Sequence, residues 1–243
     1  MKQRIPLVVV AGPTASGKTD MAIHLAKIFD GEIINADSMQ VYKELNIGSA
    51  KPSMEERQGV PHHMMDVVSV TNEYTVSQYE RQATKAIKDV YNSGKLSIIC
   101  GGTGLYIRSL LYRMSFSNAI SDETIRRELT EYVNKNGKLA LHMMLSKVDK
   151  KTASRLHPND VKRVIRALEV YCITGIPFSQ QDNSGKFEKK DIYRFILIGL
   201  QWPRQELVKR IKKRIEIMVD NGLLEEAKKI YNLHLPSSLP SMQ

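Results

Sequence analysis

Gly12-Pro13-Thr14-Ala15-Ser16-Gly17-Lys18-Thr19 satisfies the pattern G-x-x-x-x-G-K-[ST] at every fixed position. Residues 7–11, just before it, form a short apolar, β-branched run suited to a buried strand. Residues 20–29, just after it, carry apolar side chains at helical spacing. A loop that joins strand to helix turns its backbone N–H groups toward phosphate oxygens, and the new helix presents unpaired amides and its positive dipole end to the same anion. Gly12 and Gly17 permit the curvature, Lys18 adds a point charge, and Thr19 can place its hydroxyl on a Mg²⁺ ion held by the phosphates. Gly12, Pro13, Thr14, Ala15, Ser16, Gly17, Lys18 and Thr19 are therefore the expected diphosphate site.

Outward from the loop, strands and helices alternate. Residues 32–36 predict a second strand that ends at Asp37, residues 64–68 a short third, and residues 96–100 a fully apolar one ending at Gly101-Gly102-Thr103-Gly104. Helices are predicted over 75–92 and from Gly104 through Leu110. Residues 41–52 lack a period and read as a loop. This alternation implies an α/β fold, a parallel sheet core flanked by helices as in P-loop NTPases. From 117 to 191 the pattern becomes helical, with Ser121 expected to cap one run, 138–148 amphipathic, and Asn159 or Asp160 capping another. Residues 193–200 return as a strand, Pro203 opens a long helix, and 223–231 form a further one. The expected organisation is a core of residues 1–116 and 192–243 with a helical insertion at 117–191. Residues 236–243 read as a connecting loop.

Charge and cysteine content narrow the partners. The formal charge is +10; residues 1–116 hold 13 Lys/Arg against 11 Asp/Glu, whereas 117–243 hold 23 against 15, so the excess lies away from the phosphate loop and points to a polyanion. Cys100 and Cys172 sit in apolar segments and suggest neither a disulfide framework nor a thiolate metal site. The short apolar run before the loop is not a signal peptide and no stretch is long enough to span a bilayer, so a cytoplasmic protein is expected.

Several residues are candidates for chemistry. Asp37, beyond a strand end on the phosphate-loop side, suits a metal-shell carboxylate or a general base, or equally a turn cap. Thr103 suits a phosphate or leaving-group contact, or only a tight turn. Arg210 and Arg214 lie one helical turn apart and can reach one anion, while Lys209, Lys212 and Lys213 read as a solvated face. Lys162, Arg163 and Arg166 form a second cluster beside apolar Val161, Val164, Ile165 and Leu168, a surface group or a nucleic-acid contact. His62, His63 and His157 lack the company of a metal site. Trp202 reads as a core or hinge residue.

Taken together, the phosphate loop, Asp37-Ser38-Met39-Gln40-Val41-Tyr42, Ile47-Gly48-Ser49-Ala50-Lys51-Pro52, Gly101-Gly102-Thr103-Gly104-Leu105-Tyr106, Arg155-Leu156-His157-Pro158-Asn159-Asp160 and Arg210-Ile211 with Arg214, Met218, Gly222 and Leu223 resemble the tRNA dimethylallyltransferases, also called tRNA isopentenyltransferases. The series runs in order along nearly the whole chain. Ser49 stands where that family commonly has Thr. The resemblance implies transfer of a dimethylallyl group from its diphosphate to N6 of the adenine 3′-adjacent to the anticodon. Lys18, Arg214 and Mg²⁺ near Thr19 would stabilise the leaving diphosphate, with Arg210 beside it. Thr103 would contact the bridging oxygen and Asp37 would accept the amine proton. It further implies tRNA contacts at Asp37, Ser38, Met39, Gln40, Thr103, Arg126, Lys162, Arg163, Val164, Ile165 and Arg166, with the anticodon arm as partner. A bacterial-type enzyme acting as a monomer is expected, and the chain stops where the family continues into further C-terminal helices. Two other readings share the loop: a small-molecule or nucleotide kinase with a helical lid, and a nucleotide-switched RNA-binding protein.

Overall fold

The structure is a computed structural model that describes residues 4–114, 122–181, 188–237 and 239–242. In chain order its elements are β1 (Ile5–Ala11), α1 (Lys18–Ile28), β2 (Gly31–Asn35), β3 (His62–His63), α2 (Val76–Asn92), β4 (Leu96–Gly101) and α3 (Gly104–Leu111). These are followed by α4 (Glu123–Val148), α5 (Lys150–Ala153), α6 (Val161–Thr174) and α7 (Phe178–Gln181), and then by β5 (Tyr193–Gly199), α8 (Arg204–Asp220) and α9 (Leu223–Tyr231). The chain divides into two compact units, Met1–Tyr112 with Lys189–Gln243, and Arg113–Glu188.

In the first unit five parallel strands pair in the order β3-β2-β4-β1-β5. Both faces of the sheet are covered, and strand parity assigns each residue to a face. Leu7, Val9, Ile34 and Ile99 pack with Tyr79, Ala83 and Ile87 of α2 and with Tyr106 and Leu110 of α3. Val10, Ile33, Ile98 and Cys100 pack with Ala22, Ile23 and Ala26 of α1. α2 begins with a reciprocal capping box between Thr75 and Gln78. Tyr79 stacks on Tyr106 at 3.9 Å between ring centroids, and its hydroxyl donates to the Asn35 carbonyl at 2.9 Å, fixing the end of β2. β5 is an edge strand on which Ile196 and Leu197 are exposed.

Two details differ from the sequence reading. The third strand is His62–His63 rather than 64–68, because Met64 and Asp66 take positive φ of 64° and 57° and cannot continue an extended ladder. Val68 instead makes an isolated parallel bridge with Tyr42. The C-terminal stretch is not a bare connector: Pro240–Met242 forms a 3₁₀ turn, and the buried Ser241 donates its hydroxyl to the Val70 carbonyl at 2.7 Å.

The second unit is helical. α4 and α6 pack through Leu129, Leu141, Leu145, Val164, Ala167 and Leu168. α4 breaks at Gly137, whose φ of 84° interrupts the helix between the two runs expected from sequence. Asp122 caps it by accepting from the N–H groups of Thr124 and Ile125, while Ser121 lies outside the described residues. Asp149 caps α5 and also accepts from the Ser179 N–H. Burial works against its charge, but the hydrogen bonds from Thr152 and Ser179 outweigh it and hold the carboxyl below its ordinary range.

One contact fixes the strand ends that the functional site is built on. A Cβ placed on Gly101 would stand 2.1 Å from the Ala36 carbonyl oxygen and 2.3 Å from its carbon, both rigid backbone. Gly101→Ala is expected to destabilise the first unit by about 3 kcal/mol or more, measured by denaturant unfolding. A loss of only a few tenths would show that β2 and β4 can part freely here.

Candidate active site

The carboxyl ends of β1, β2 and β4 open onto a cavity of about 320 Å³ lined by Gly12, Thr14, Lys18, Thr19, Asn35, Asp37, Gln40, Ser49, Gly102, Thr103 and Arg214, among others. Parity explains the floor: Ile33, Asn35 and Asp37 follow one another at intervals of two and face the α1 side, as does Cys100. Burial pushes the Cys100 thiol up to about 12, so it stays protonated and serves as wall rather than nucleophile.

The phosphate loop takes its shape from local backbone and long-range braces. Ala15 and Gly17 have positive φ of 59° and 88°, which turns the loop over before α1 begins. A Cβ on Gly12 would lie 2.9 Å from the Leu200 carbonyl, so the segment after β5 closes against the start of the loop. The Lys18 ammonium donates to the Pro13 carbonyl at 2.6 Å, across the loop's own turn. Trp202 donates its indole N–H to the Ser16 carbonyl at 2.9 Å. The Arg210 guanidinium donates to the Ala15 carbonyl at 2.7 Å and lies 4.5 Å over the Trp202 ring. Arg214 donates to the Thr14 hydroxyl at 3.1 Å and to the Ala50 carbonyl at 3.5 Å.

The two arginines thus differ. Arg214 lines the cavity, whereas Arg210 is a brace on the loop backbone. Burial opposes the charges of both Lys18 and Arg214, and the Asp37 carboxylate opposes that effect for each. Two helix N-termini, those of α1 and α3, begin among the lining residues. Such a site is short of negative charge, since Asp37 is the one carboxylate among its described lining residues.

Asp37 accepts from the N–H groups of Met39 at 2.9 Å and Gln40 at 3.4 Å, both through Oδ1. It therefore caps a turn and lines the cavity, and the two alternatives for it are compatible. Thr103 caps α3 without a side-chain hydrogen bond to that helix; its hydroxyl accepts from the Ser38 N–H at 2.9 Å and donates to the Ser38 hydroxyl at 3.2 Å. Asp37, Ser38 and Thr103 thus meet at one rim. Thr19, beside Lys18, supplies the hydroxyl a divalent ion would use. Among the described residues no group of three or more His, Cys, Asp or Glu could hold a metal unaided, so the oxygen donors Thr19 and Asp37 fit an ion that arrives with phosphates.

Two site residues were not legible in the sequence. Trp202 carried no loop signal, because its role depends on β5 lying beside β1. His62 also lines the cavity: its Nδ1 contacts the Val60 carbonyl at 2.8 Å, leaving Nε2 buried without a hydrogen-bond partner, and burial pulls its pKa down so that the ring is neutral. Neighbouring His63 is instead paired with Glu32 at 2.6 Å.

In the second unit, Arg126 and Arg166 hold the two oxygens of the fully buried Glu169, at 2.8 and 2.7 Å. Arg163 is exposed and 3.2 Å from Asp160, and Lys162 is exposed. Val164, expected as a tRNA contact, is fully buried in the unit's core because it sits on the inward stripe of α6, and Ile165 packs against the same cluster.

A family model described as IPP transferase matches residues 40–243. The chain is 44% identical over 240 residues to a tRNA dimethylallyltransferase of Thermoanaerobacter sp. strain X514, covering 98% of this chain and 76% of that one. It is 46% identical over 242 residues to tRNA dimethylallyltransferase 2 of Geotalea uraniireducens strain Rf4, covering 100% and 77%. Among solved structures it resembles the full-length tRNA isopentenylpyrophosphate transferase of Bacillus halodurans, with 38% identity, a TM-score of 0.66 and coverage of 99% and 74%. It also resembles a eukaryotic dimethylallyltransferase acting on tRNA, with 33% identity, a TM-score of 0.78 and coverage of 97% and 58%.

Because burial holds Lys18 below its ordinary 10.5, an anion bound against it must raise that pKa again, which links binding to proton uptake. Sulfate does not titrate in the alkaline range, and its affinity is expected to fall as pH rises toward 10.5. Lys18→Ala should flatten that slope and weaken binding by roughly tenfold or more. Calorimetry in buffers of different ionisation enthalpy measures both, and an affinity independent of pH would take Lys18 off the anion.

Proposed function

This chain belongs to the tRNA dimethylallyltransferase family, and on that premise we propose that it moves a dimethylallyl group from dimethylallyl diphosphate to N6 of the adenine 3′-adjacent to the anticodon in tRNA, releasing diphosphate. The observation that carries the reading is the charge pattern of the cavity. Lys18, Arg214 and two helix N-termini surround a space whose described lining includes a single carboxylate, Asp37.

That pattern suits the chemistry. An exocyclic amine is a weak nucleophile because its lone pair is delocalised into the ring, so ionisation of the allylic diphosphate has to supply most of the drive. The bond from the prenyl C1 to the bridging oxygen breaks, its electron pair leaves with diphosphate, and a bond from C1 to N6 forms. Lys18, Arg214 and the loop amides meet the growing negative charge. The Thr103 hydroxyl serves the bridging oxygen, and Asp37 orients the amine and takes its proton. Arg210 holds the loop in shape from outside the cavity. Mg²⁺ is the metal we assign to Thr19 and the diphosphate, where it would neutralise part of the leaving charge.

On the RNA side, the target adenine must leave its stack to reach the cavity. Asp37, Ser38, Met39, Gln40 and Thr103 at the rim would meet it, and the helical unit would grip the anticodon arm through exposed Lys162 and Arg163, with Arg126 and Arg166 as cations already anchored on Glu169. We assign the protein to the cytoplasm, where it would meet its tRNA substrate, as a monomer. A kinase reading shares the loop, but no relative named above carries that activity in its name.

Incubation with unmodified tRNA and dimethylallyl diphosphate should give an adenosine heavier by one dimethylallyl group, read by mass spectrometry of nuclease digests; phosphate transfer from ATP to an acceptor in its place would overturn the reading. Asp37→Ala is expected to lower turnover by about 10²-fold or more, and near-normal turnover would remove it as the base. With about six phosphate contacts, tRNA affinity should drop roughly 10³-fold between about 50 and 200 mM salt; a filter-binding series that stays flat would argue against an electrostatic grip.

A further inference from the structure

A single carboxylate far along the chain holds one wall of the cavity. Glu226, in the first turns of α9, accepts from three consecutive backbone N–H groups: Asn46 at 2.8 Å and Ile47 at 2.9 Å through Oε2, and Gly48 at 2.7 Å through Oε1. Consecutive amides converging on one point form an anion nest, and here its anion is the protein's own. The fit is close, since a Cβ on Gly48 would lie 3.3 Å from Glu226 Oε1. The same loop carries Ser49 and Ala50, and Ala50 is held at a positive φ of 48°. Their carbonyls receive the Gln40 amide, each at 3.1 Å, and that of Ala50 also receives Arg214. The Gln40 N–H in turn reaches the Asp37 carboxylate at 3.4 Å. α9 does not depend on Glu226 for its place, because Ile230 is buried in the main core and the following chain packs there through Leu235, Ser241 and Met242.

We infer that Glu226 is a positioning residue for prenyl transfer: by clasping the amides of residues 46–48 it sets the Ala50 carbonyl that Arg214 and Gln40 share, and through them the turn that presents Asp37. The inference rests on the transferase reading above. Strain at Ala50 makes the clasp necessary, for a loop with a left-handed alanine at its end relaxes when its amides are released.

The test compares the wild-type chain with Glu226→Ala and Glu226→Gln by hydrogen exchange of the 46–48 amides, steady-state prenylation and diphosphate binding. In Glu226→Ala these amides should exchange at least tenfold faster, and kcat should fall by about tenfold or more, while diphosphate affinity falls several-fold less than kcat, because Arg214 loses its hold at Ala50 but Lys18 and the phosphate loop keep their own braces. Wild-type kcat despite faster exchange would overturn the proposal. So would parallel loss of kcat, diphosphate affinity and melting temperature, which is the mark of a merely structural contact. Glu226→Gln keeps the shape but offers one acceptor oxygen in place of two; should the alanine variant not fold, an intermediate kcat in it supports the clasp and a wild-type value overturns it. A wild-type chain that transferred no prenyl group would sink the functional reading, while the exchange comparison would still report on the clasp.

Discussion

Cations gathered before their anion arrives must be held by something that does not neutralise them, and around this cavity the holders are backbone carbonyls and the Thr14 hydroxyl. Lys18 rests on Pro13, Arg210 on Ala15 and Arg214 on Ala50. A carbonyl gives each ammonium or guanidinium a partner without a full negative charge, so the positive field in the cavity survives for the ligand. Every carbonyl involved belongs to a bent stretch of chain, at the phosphate loop or at Ala50. The strained backbone is what turns those oxygens toward the cations, and the tight strand packing at Gly101 and Gly12 is what holds the backbone.

Much of this architecture was legible because parallel strands buried on both faces announce themselves as unbroken apolar runs. β1 and β4 stand out for that reason, as does the pairing of the motif at Gly12 with the helix after it. β3 was not legible: two residues long, its ladder is ended by positive φ at Met64, which hydropathy does not record. In the cavity, residues set by strand ends, such as Lys18, Asp37 and Thr103, were visible from topology. Trp202, His62 and Glu226 were not, because each acquires its role from a neighbour distant in sequence. Arg210 and Arg214 show the limit well, since helical spacing placed both on one face but could not tell which would meet the cavity and which the loop backbone.

The helical unit shows why a basic surplus cannot be counted as free charge. Glu169, fully buried, takes up one oxygen each for Arg126 and Arg166 and a third bond from the Asp122 N–H. Those arginines are fixed in direction by the pairing. Lys162 and Arg163 remain exposed on α6, while Val164 beside them belongs to the unit's core. An alternation of outward cations and inward aliphatics over one helical turn explains how a contiguous segment can serve both purposes.

The placement of β5 also bears on how the protein is made. β1 lies in the middle of the sheet, paired to β4 on one side and to β5 on the other, with Ile5 opposite Tyr193. On the ribosome, where chains emerge at about 5–20 residues per second, β1 must wait until the strand that begins at Tyr193 has emerged before its second edge is covered. Trp202, Arg210 and Arg214 come later still. Until β5 and α8 have emerged, a nascent chain therefore has a phosphate loop without its braces and an apolar edge open to solvent, which makes that interval the one in which chaperone protection counts most.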